Sequence, residues 1–230
     1  MIFFNNDGYQ LISNPNKNVL KKTYSDVWKD ETFPEKQWRR VEKQLKQVDD
    51  IPEFVVIIDC IRTTGLKNPS ILDVGCSSGY LSEVLKIKKI NANYEGTHYS
   101  PSFINFAREK YPRESFNVNN ATDLKYKNKS FDIVISACCL LHIIDYKKVI
   151  SEAARVAKKF VIFHRTPVFH LQPTTFFTKT AYGAKMLEIV FNEEELVDIF
   201  CKNNLAITKI RTISSGNITI KNYLCKKYEI

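Results

Sequence analysis

An acidic residue stands just ahead of a glycine-rich turn in residues 70–80 (SILDVGCSSGY). Asp73 lies in a short apolar run, and Gly75 and Gly79 follow it before residues typical of a helix. Glycine lets the backbone turn tightly and lets a ligand approach closely, and a helix that begins there points free N–H groups at the ligand. The spacing differs from the G-x-G-x-x-G dinucleotide motif, and the P-loop lysine is absent. The pattern predicts a ligand-binding turn.

The histidines are the residues that could accept a proton near neutral pH. The sequence has four, and each falls at or just beyond the carboxyl end of a predicted strand: His98, His142, His164 and His170. Each is either a candidate general base or a structural residue. Close spacing of metal ligands, such as H-E-x-x-H, does not occur, so no metal site is predicted.

Strands and helices alternate through the middle of the chain, which is typical of a mostly parallel sheet with helices on both faces. Ligands bind such sheets outside the carboxyl ends of the strands. We therefore expect Asp73 and the histidines to share one edge of the sheet. The predicted strands are residues 71–74, 93–99, 116–119, 131–137 and 160–164.

Two helices are predicted before this alternation begins. Residues 34–50 have one apolar and one basic face at helical spacing. Residues 52–64 form a more apolar pattern that Gly65 ends. Further along the chain, Ser100 and Asp145 stand at positions that favour helix capping.

The C-terminal part of the chain has a different pattern. Residues 165–191 are aromatic and contain two prolines, so we predict a long loop, either functional or simply packed. Asn192 and Glu195 are spaced as in a capping box. Two alternating runs joined by SSGN (residues 214–217) predict an antiparallel hairpin.

Composition limits the class of protein. The 230 residues are 44% hydrophobic and 26% charged, which are globular values. Neither a signal peptide nor an apolar run of about 18 residues is evident, and the six cysteines form no C-x-x-C pair, so we expect a cytoplasmic protein with reduced thiols. A net charge of +9 is compatible with nucleic acid, anionic lipid, an acidic substrate or a solvated surface. Aromatic residues do not alternate with the basic ones, so nucleic acid gains no specific support.

The stretch ILDVGCSSGY resembles motif I of the class I S-adenosylmethionine-dependent methyltransferases. The resemblance continues in register through GTHYSPSFINFAREKYP, NVNNATDLKY, SFDIVISACCLLHI and RVAKKFVIF, over about residues 54–165. It implies a Rossmann-like, doubly wound α/β fold with a mostly parallel seven-stranded sheet that ends in an antiparallel hairpin. It also implies S-adenosylmethionine as cofactor, with residues 1–50 as an N-terminal helical extension or lid and residues 51–230 as the methyltransferase domain.

The resemblance implies which residues hold this cofactor, and two of them depart from the family pattern. His98 stands where an acid usually binds the ribose, and Glu95 should face the other side of its strand. Asn120 replaces an acid near the adenine. A neutral imidazole can accept one hydrogen bond, and an asparagine carbonyl oxygen could meet the adenine amino group. The implied cofactor residues are Asp73, Gly75, Cys76, Ser77, Gly79, His98, Tyr99, Asn120, Ala121 and Ala137, with Tyr99 stacking on the adenine.

The acceptor side is predicted from the same resemblance. His142 lies where the family often contacts the acceptor and is our first candidate base, followed by His164 and His170. Arg165 either holds an acidic group of the acceptor or forms a surface ion pair. Trp38 lies near the cofactor if residues 34–49 and the loop of residues 165–191 form a lid.

The sequence favours an O- or N-methyltransferase acting on a small-molecule or glycan-like acceptor. A likeness to methyltransferases that modify bacterial surface polysaccharides comes from the flanking segments. The Asn/Asp-Pro-Pro-Tyr pattern of base-amino methyltransferases is absent, and Cys138 and Cys139 lack the neighbouring proline of cytosine C5 enzymes. Two alternatives remain: a nucleic-acid methyltransferase that uses the basic surface, and a non-catalytic binding subunit, which His98 and Asn120 suggest.

Overall fold

The computed structural model describes residues 8–13, 15–24, 26–214 and 217–228. The helices are α1 (Lys17–Tyr24), α2 (Phe33–Leu45), α3 (Pro52–Thr63), α4 (Tyr80–Ile87), α5 (Pro101–Lys110), α6 (Tyr146–Val156) and α7 (Glu193–Lys202). The strands are β1 (Tyr9–Leu11), β2 (Ser70–Val74), β3 (Asn93–His98), β4 (Ser115–Val118), β5 (Phe131–Ala137), β6 (Ala157–Phe169), β7 (Thr175–Ala181), β8 (Ala184–Asn192), β9 (Leu205–Ser214) and β10 (Thr219–Lys227).

The centre of the sheet is parallel. Its strands run in the order β4-β3-β2-β5-β6, and every neighbouring pair in this row is parallel. The chain moves outward from β2 to β4 and then returns to β5, so the strand order reverses between β2 and β5. Ligands bind at such a switch point. The Rossmann-like α/β prediction is confirmed.

Helices cover both faces of the sheet because its central strands are apolar on both faces. Ile71 packs with α3, α4 and α5, whereas its neighbour Leu72 packs with α6 and α7 on the other face. Strand β6 repeats this alternation, and Phe163 stacks on Phe200 of α7 with ring centroids 4.5 Å apart. Burial of each such large side chain contributes about 1.5–3 kcal/mol.

Strand β6 pairs with two different strands on its outer side. β10 runs antiparallel to it and also pairs with β9, which confirms the predicted C-terminal hairpin. Two residues of the predicted SSGN turn, 215 and 216, lie outside the described residues. β8 runs parallel to β6 but pairs with it only at Val168 and Phe169.

The prediction of a long loop over residues 165–191 is wrong. β6 continues to Phe169, and β7 and β8 form an antiparallel hairpin that carries β1 on its outer edge. Tyr182 and Gly183 make the turn with φ values of 54° and 84°, the positive values that a two-residue hairpin turn needs. The described sheet therefore has ten strands rather than seven.

Helix ends agree with the sequence only in part. Asn192 accepts a hydrogen bond from the backbone N–H of Glu195 at 2.8 Å, which confirms that cap. Ser100 and Asp145 are the N-cap residues immediately before α5 and α6, as predicted, but neither side chain makes a cap hydrogen bond. Asp145 instead accepts from Lys21 of α1 at 2.8 Å. The helix predicted for residues 34–50 ends at Leu45, and a short 3₁₀ turn follows.

Gly96 of β3 lies where a side chain has no room. A Cβ atom there would be 2.7 Å from Cδ1 of Phe116 and 2.9 Å from Cβ of Cys76. Both neighbours are buried. The absence of a side chain at Gly96 therefore lets Phe116 and the turn after β2 pack against β3.

We expect Gly96→Ala to reduce the free energy of unfolding by about 1–3 kcal/mol, because the added methyl group overpacks this layer. Urea unfolding of the purified protein measures the change. The double variant Gly96→Ala/Phe116→Leu should lose less than the sum of the two single changes, because the smaller side chain frees space. A single-variant change below about 0.5 kcal/mol would contradict this account.

Candidate active site

A cavity of about 430 Å³ lies at the carboxyl ends of β2, β3 and β5, beside His164 and Arg165 in the middle of β6. Its floor is formed by the turn after β2 and by the ends of the neighbouring strands. Its roof comes from residues before α3 and from the β7–β8 hairpin, including Trp28, Gln37 and Tyr182. The volume falls in the range of small-molecule sites.

The turn after β2 is fixed to the neighbouring strand. The backbone N–H groups of Gly75 and Cys76 both donate to the carbonyl oxygen of Thr97, at 2.8 and 3.0 Å. Gly75 has a φ of 80° and Ser77 one of 57°, so both residues are in the left-handed region. A Cβ atom at Gly75 would lie 2.6 Å from the sulfur of Cys139. Only glycine fits there.

Asp73 presents a buried carboxylate to the cavity. Its Oδ2 accepts a hydrogen bond from the hydroxyl of Tyr94 at 2.8 Å, whereas its Oδ1 is buried and has no partner. Burial raises the pKa of Asp73 to about 7, although the Tyr94 hydrogen bond opposes the shift. A buried acceptor without a partner costs free energy, so Asp73 is placed to receive a donor group from a bound ligand.

The structure corrects how His98 can bind a ligand. Its Nδ1 accepts a hydrogen bond from the backbone N–H of Ser100 at 3.1 Å, and burial lowers its pKa to about 4. The neutral ring therefore carries its proton on Nε2, which can only donate. The expectation that His98 accepts a hydrogen bond from a ligand is wrong. Glu95 is engaged elsewhere, as predicted, with the side chains of Asn117 and Tyr126.

Asn120 also differs from the expectation. Its side-chain carbonyl oxygen already accepts from the backbone N–H and hydroxyl of Thr122, at 3.0 and 2.9 Å. The amide NH₂, rather than the oxygen, is left for a ligand. Tyr99 lines the cavity beside it, and its ring stacks on His98 with centroids 5.2 Å apart.

The remaining predicted cofactor residues divide into two groups. Cys76, Ser77, Ala121 and Ala137 line the cavity with Asp73 and Gly75. Gly79 does not: it precedes α4 with a φ of 79°, and a Cβ there would lie 2.6 Å from Phe116. Gly79 therefore contributes to the shape of the turn through its packing against Phe116, on the side away from the cavity.

His142 and Cys138 also line the cavity, and a hydrogen bond joins their side chains. Nδ1 of His142 donates to the carbonyl oxygen of Leu187 at 2.7 Å, so Nε2 is the nitrogen left for Cys138 or a ligand. Burial opposes both shifts, but the hydrogen bond with Cys138 raises the pKa of His142. The Arg165 charge, followed by the hydrogen bond with His142, lowers the pKa of Cys138. The ring of Trp28 packs against His142, with ring centroids 5.0 Å apart.

The other predicted acceptor-side residues lie in different places. His164 and Arg165 line the cavity, but burial, followed by the Arg165 charge, lowers the pKa of His164 to about 3, which makes it a weak base. His170 lies outside the cavity and pairs with Glu193 at 2.9 Å. Trp38 also lies outside, against Phe106 and Tyr111, because Gln37 occupies the face of α2 that meets the cavity. His170 and Trp38 therefore lie outside the candidate site.

Sequence reasoning missed several residues of the cavity wall. Tyr182, Met186 and Glu188 line it from the β7–β8 hairpin; the alternating pattern on either side of Tyr182–Gly183 was the available signal. Trp28 and Cys138 also line it, and no spacing pattern in the sequence points to them.

Comparisons with known proteins agree with this architecture. Residues 72–163 match the family described as a methyltransferase domain. The chain is 31% identical over 98 residues to the ubiquinone/menaquinone biosynthesis C-methyltransferase UbiE of Campylobacter jejuni, covering 40% of this chain and 42% of that protein. It is 26% identical over 157 residues to the ubiquinone biosynthesis O-methyltransferase of Pelagibacter ubique, covering 63% of this chain and 65% of that one. The matches thus span less than two thirds of these relatives.

A solved structure extends the likeness to nearly the whole chain. Magnesium protoporphyrin IX methyltransferase (ChlM) from Synechocystis PCC 6803 with bound SAH superposes with a TM-score of 0.64 at 17% identity, covering 93% of this chain and 100% of that chain. The predicted class I S-adenosylmethionine-dependent methyltransferase fold is confirmed.

Membrane-spanning helices and clustered metal ligands are both absent from the described ranges. None of the helices there is long and apolar enough to cross a bilayer. The same residues contain no group of three or more His, Cys, Asp or Glu side chains arranged to hold a metal ion.

We expect Asp73 to reduce stability as the pH rises. The unfolded chain releases this proton near pH 3.8, whereas the folded protein holds it to about pH 7. The contribution of Asp73 to the free energy of unfolding therefore decreases as the pH rises between these values. Asp73→Asn removes the effect. The stability of the variant relative to the wild type should increase by on the order of 2 kcal/mol between pH 5 and pH 8, as measured by urea unfolding.

Asp132→Asn is the matched control. Despite burial, hydrogen bonds from Ser70 lower the pKa of Asp132 below 3.8. The carboxyl group of Asp132 is therefore ionised above pH 5 in both the folded and the unfolded protein. The stability difference between Asp132→Asn and the wild type should not increase between pH 5 and pH 8. An equal increase for both variants would show that Asp73 is not the source.

Proposed function

We propose that this chain, which carries a class I S-adenosylmethionine-dependent methyltransferase domain, transfers a methyl group to an oxygen or nitrogen atom of a small molecule. One observation carries the proposal: the unpartnered Oδ1 of Asp73 beside the left-handed Gly75–Ser77 turn, at the switch point of the sheet. The named relatives, a C- and an O-methyltransferase of quinone biosynthesis, support a small-molecule acceptor.

The residues at this turn fit the methionine part of S-adenosylmethionine. Its ammonium group supplies the donor that Asp73 Oδ1 lacks, and a cation there would favour the ionised form of the carboxyl group. The hydroxyl of Ser77 currently donates to Oε1 of Gln37. Gln37 therefore marks a polar position on α2 that a ligand in the turn would contact.

The residues at the end of β3 fit the nucleoside part. His98 would donate from Nε2 to a ribose oxygen, which replaces the usual acceptor acid with a donor. Tyr99 and Ala121 supply apolar surface in the wall of the same cavity. The amide NH₂ of Asn120 can donate to an adenine ring nitrogen.

His142 is the residue that we assign as the proton acceptor on the acceptor side. When bound, S-adenosylmethionine supplies an electrophilic methyl group on a sulfonium ion. His142 would remove the proton of the acceptor hydroxyl or amine at Nε2, while its Nδ1–H donates to the Leu187 carbonyl oxygen and stabilises the imidazolium that forms. The rings of Trp28 and Tyr182 have centroids 6.2 Å apart, and in this proposal they exclude water from His142.

The N-terminal residues up to about 50 act in this proposal as a lid. Tyr24, Trp28, Gln37 and Arg40 line the cavity from this segment, and Lys21 of α1 forms an ion pair with Asp145, the residue before α6. Residues 51–230 then form the methyltransferase domain that holds both ligands.

A sugar or glycan precursor is the acceptor class that we favour, following the resemblance of the flanking segments to enzymes of polysaccharide modification. A cavity of about 430 Å³ under this lid suits a small molecule better than a nucleic acid. The free cysteines of the described chain support a reducing compartment such as the cytoplasm.

Calorimetric titration with S-adenosylmethionine and S-adenosylhomocysteine tests the proposal. We expect micromolar binding of both, and Asp73→Ala should weaken each by at least about tenfold because it removes a charge-assisted hydrogen bond. Asp132→Ala, which removes a carboxylate far from the cavity, should leave both affinities unchanged. Absence of binding to the wild type would favour the non-catalytic alternative.

We expect His142→Ala to lower turnover by about 10²–10⁴-fold, the usual contribution of a general base, and to leave S-adenosylhomocysteine affinity unchanged. Release of S-adenosylhomocysteine with an acceptor found by screening sugars and quinol-like phenols measures turnover. Equal losses of affinity and turnover would make His142 a cofactor residue instead.

The pH profile gives an independent check on this base. The rate should rise with pH as His142 loses its proton. Because the hydrogen bond with Cys138 raises the pKa of His142, Cys138→Ala should move this rise to lower pH. A rise that stays in place would place the titrating group elsewhere.

A further inference from the structure

Arg165 has an unusual backbone conformation in the middle of β6. Its φ is 56°, a left-handed value that residues other than glycine rarely adopt. Its N–H group donates to the side-chain oxygen of Asn222 at 2.8 Å rather than to a neighbouring backbone carbonyl.

Asn222 of β10 is placed to hold this kink. Its side chain is fully buried, and its NH₂ group donates to the carbonyl oxygen of Arg211 at 3.0 Å. The register of β10 against β6 is irregular between Lys221 and Tyr223, so Asn222 fills the gap that the kink leaves.

The neighbouring strand turns at the same level. Ala137 of β5 pairs with His164 of β6, and the next residue, Cys138, has a φ of 54° while its N–H donates to the His164 carbonyl oxygen at 2.9 Å. The two adjacent kinks bring Cys138 and Arg165 into the wall of one cavity.

The guanidinium group of Arg165 lacks a carboxylate partner. Among the described residues, none forms an ion pair with it within 4.0 Å or accepts a hydrogen bond from it. The groups that act on its charge are Cys138, Tyr80, Glu53 of α3 and Tyr182, and of these four Glu53 is the carboxylate. A partly buried charge is normally paired, and a guanidinium matches a carboxylate with two parallel hydrogen bonds.

We propose that Arg165 binds a carboxylate group of the acceptor, so that the substrates of this protein are carboxylic acids, such as sugar acids or hydroxylated acids. The proposal rests on the proposed function. Because Cys138 interacts with both Arg165 and His142 and all three line one cavity, an acid held by Arg165 would place its reacting hydroxyl or amine near the proposed base.

Benzoate and its neutral amide, benzamide, test this subsite by calorimetric titration of the full chain. We expect benzoate to bind at least tenfold more tightly than benzamide. Arg165→Met should reduce benzoate affinity at least tenfold and leave benzamide and S-adenosylhomocysteine affinities unchanged. Arg113→Met, a change at an exposed arginine outside the cavity, should alter none of the three.

Other outcomes overturn the proposal in distinguishable ways. Equal binding of benzoate and benzamide, or benzoate binding that survives Arg165→Met, would exclude a carboxylate at Arg165. A parallel loss of S-adenosylhomocysteine affinity in Arg165→Met would assign Arg165 to the carboxylate of the cofactor. If the wild type binds benzoate selectively but not S-adenosylhomocysteine, the subsite stands and the proposed function fails.

Asn222 is a positioning residue in this account, since it does not line the cavity. Asn222→Ala should weaken benzoate binding and leave S-adenosylhomocysteine affinity unchanged. Asn203→Ala, which removes a side-chain hydrogen bond to the Ile199 carbonyl near the end of α7, is the control for a general loss of stability and should leave benzoate binding intact. Unchanged benzoate affinity in Asn222→Ala would show that the kink does not depend on Asn222.

Discussion

Two backbone hydrogen bonds, from Gly75 and Cys76 to the Thr97 carbonyl oxygen, connect the turn after β2 to β3. They fix the height at which the turn leaves the sheet, so the Asp73 side chain stays at the cavity wall. The same turn leaves space for Cys139 against Gly75 and for Phe116 against Gly79. The cofactor side of the cavity and the packing of β3 and β4 beneath it therefore share one local geometry.

The cavity contains several groups that lower the stability of the ligand-free protein. Asp73 is buried with an unpartnered oxygen, Arg165 lacks a carboxylate partner, and left-handed conformations occur at Ser77, Cys138 and Arg165. Each of these features has a cost in stability, and such costs collect at functional sites because the surrounding structure maintains them. Here the support comes from β6, whose buried residues pack on both faces of the sheet, and from Asn222.

Sequence patterns predict the elements in which burial follows a regular pattern. They predict less well the contacts that depend on the tertiary structure. Alternating strands and helices predicted the parallel sheet because its central strands are buried on both faces. The β7–β8 hairpin was missed because its turn, Tyr182–Gly183, lacks the usual asparagine or aspartate. The donor role of His98 depends on the N–H of Ser100, and the exclusion of Trp38 depends on which face of α2 meets the sheet. No spacing rule predicts either.

β8 and β10 pair with β6 over very different lengths. β8 shares only Val168 and Phe169 with β6, whereas β10 follows β6 over most of its length. The hairpin that supplies Tyr182, Met186 and Glu188 thus shares few backbone pairs with the parallel sheet, and the side chains of Leu187 and Ile189 pack it onto the core. Mutations in that hairpin can reshape the acceptor wall while the Asp73 turn keeps its geometry, so selection has a route to new acceptors that does not require a new cofactor site.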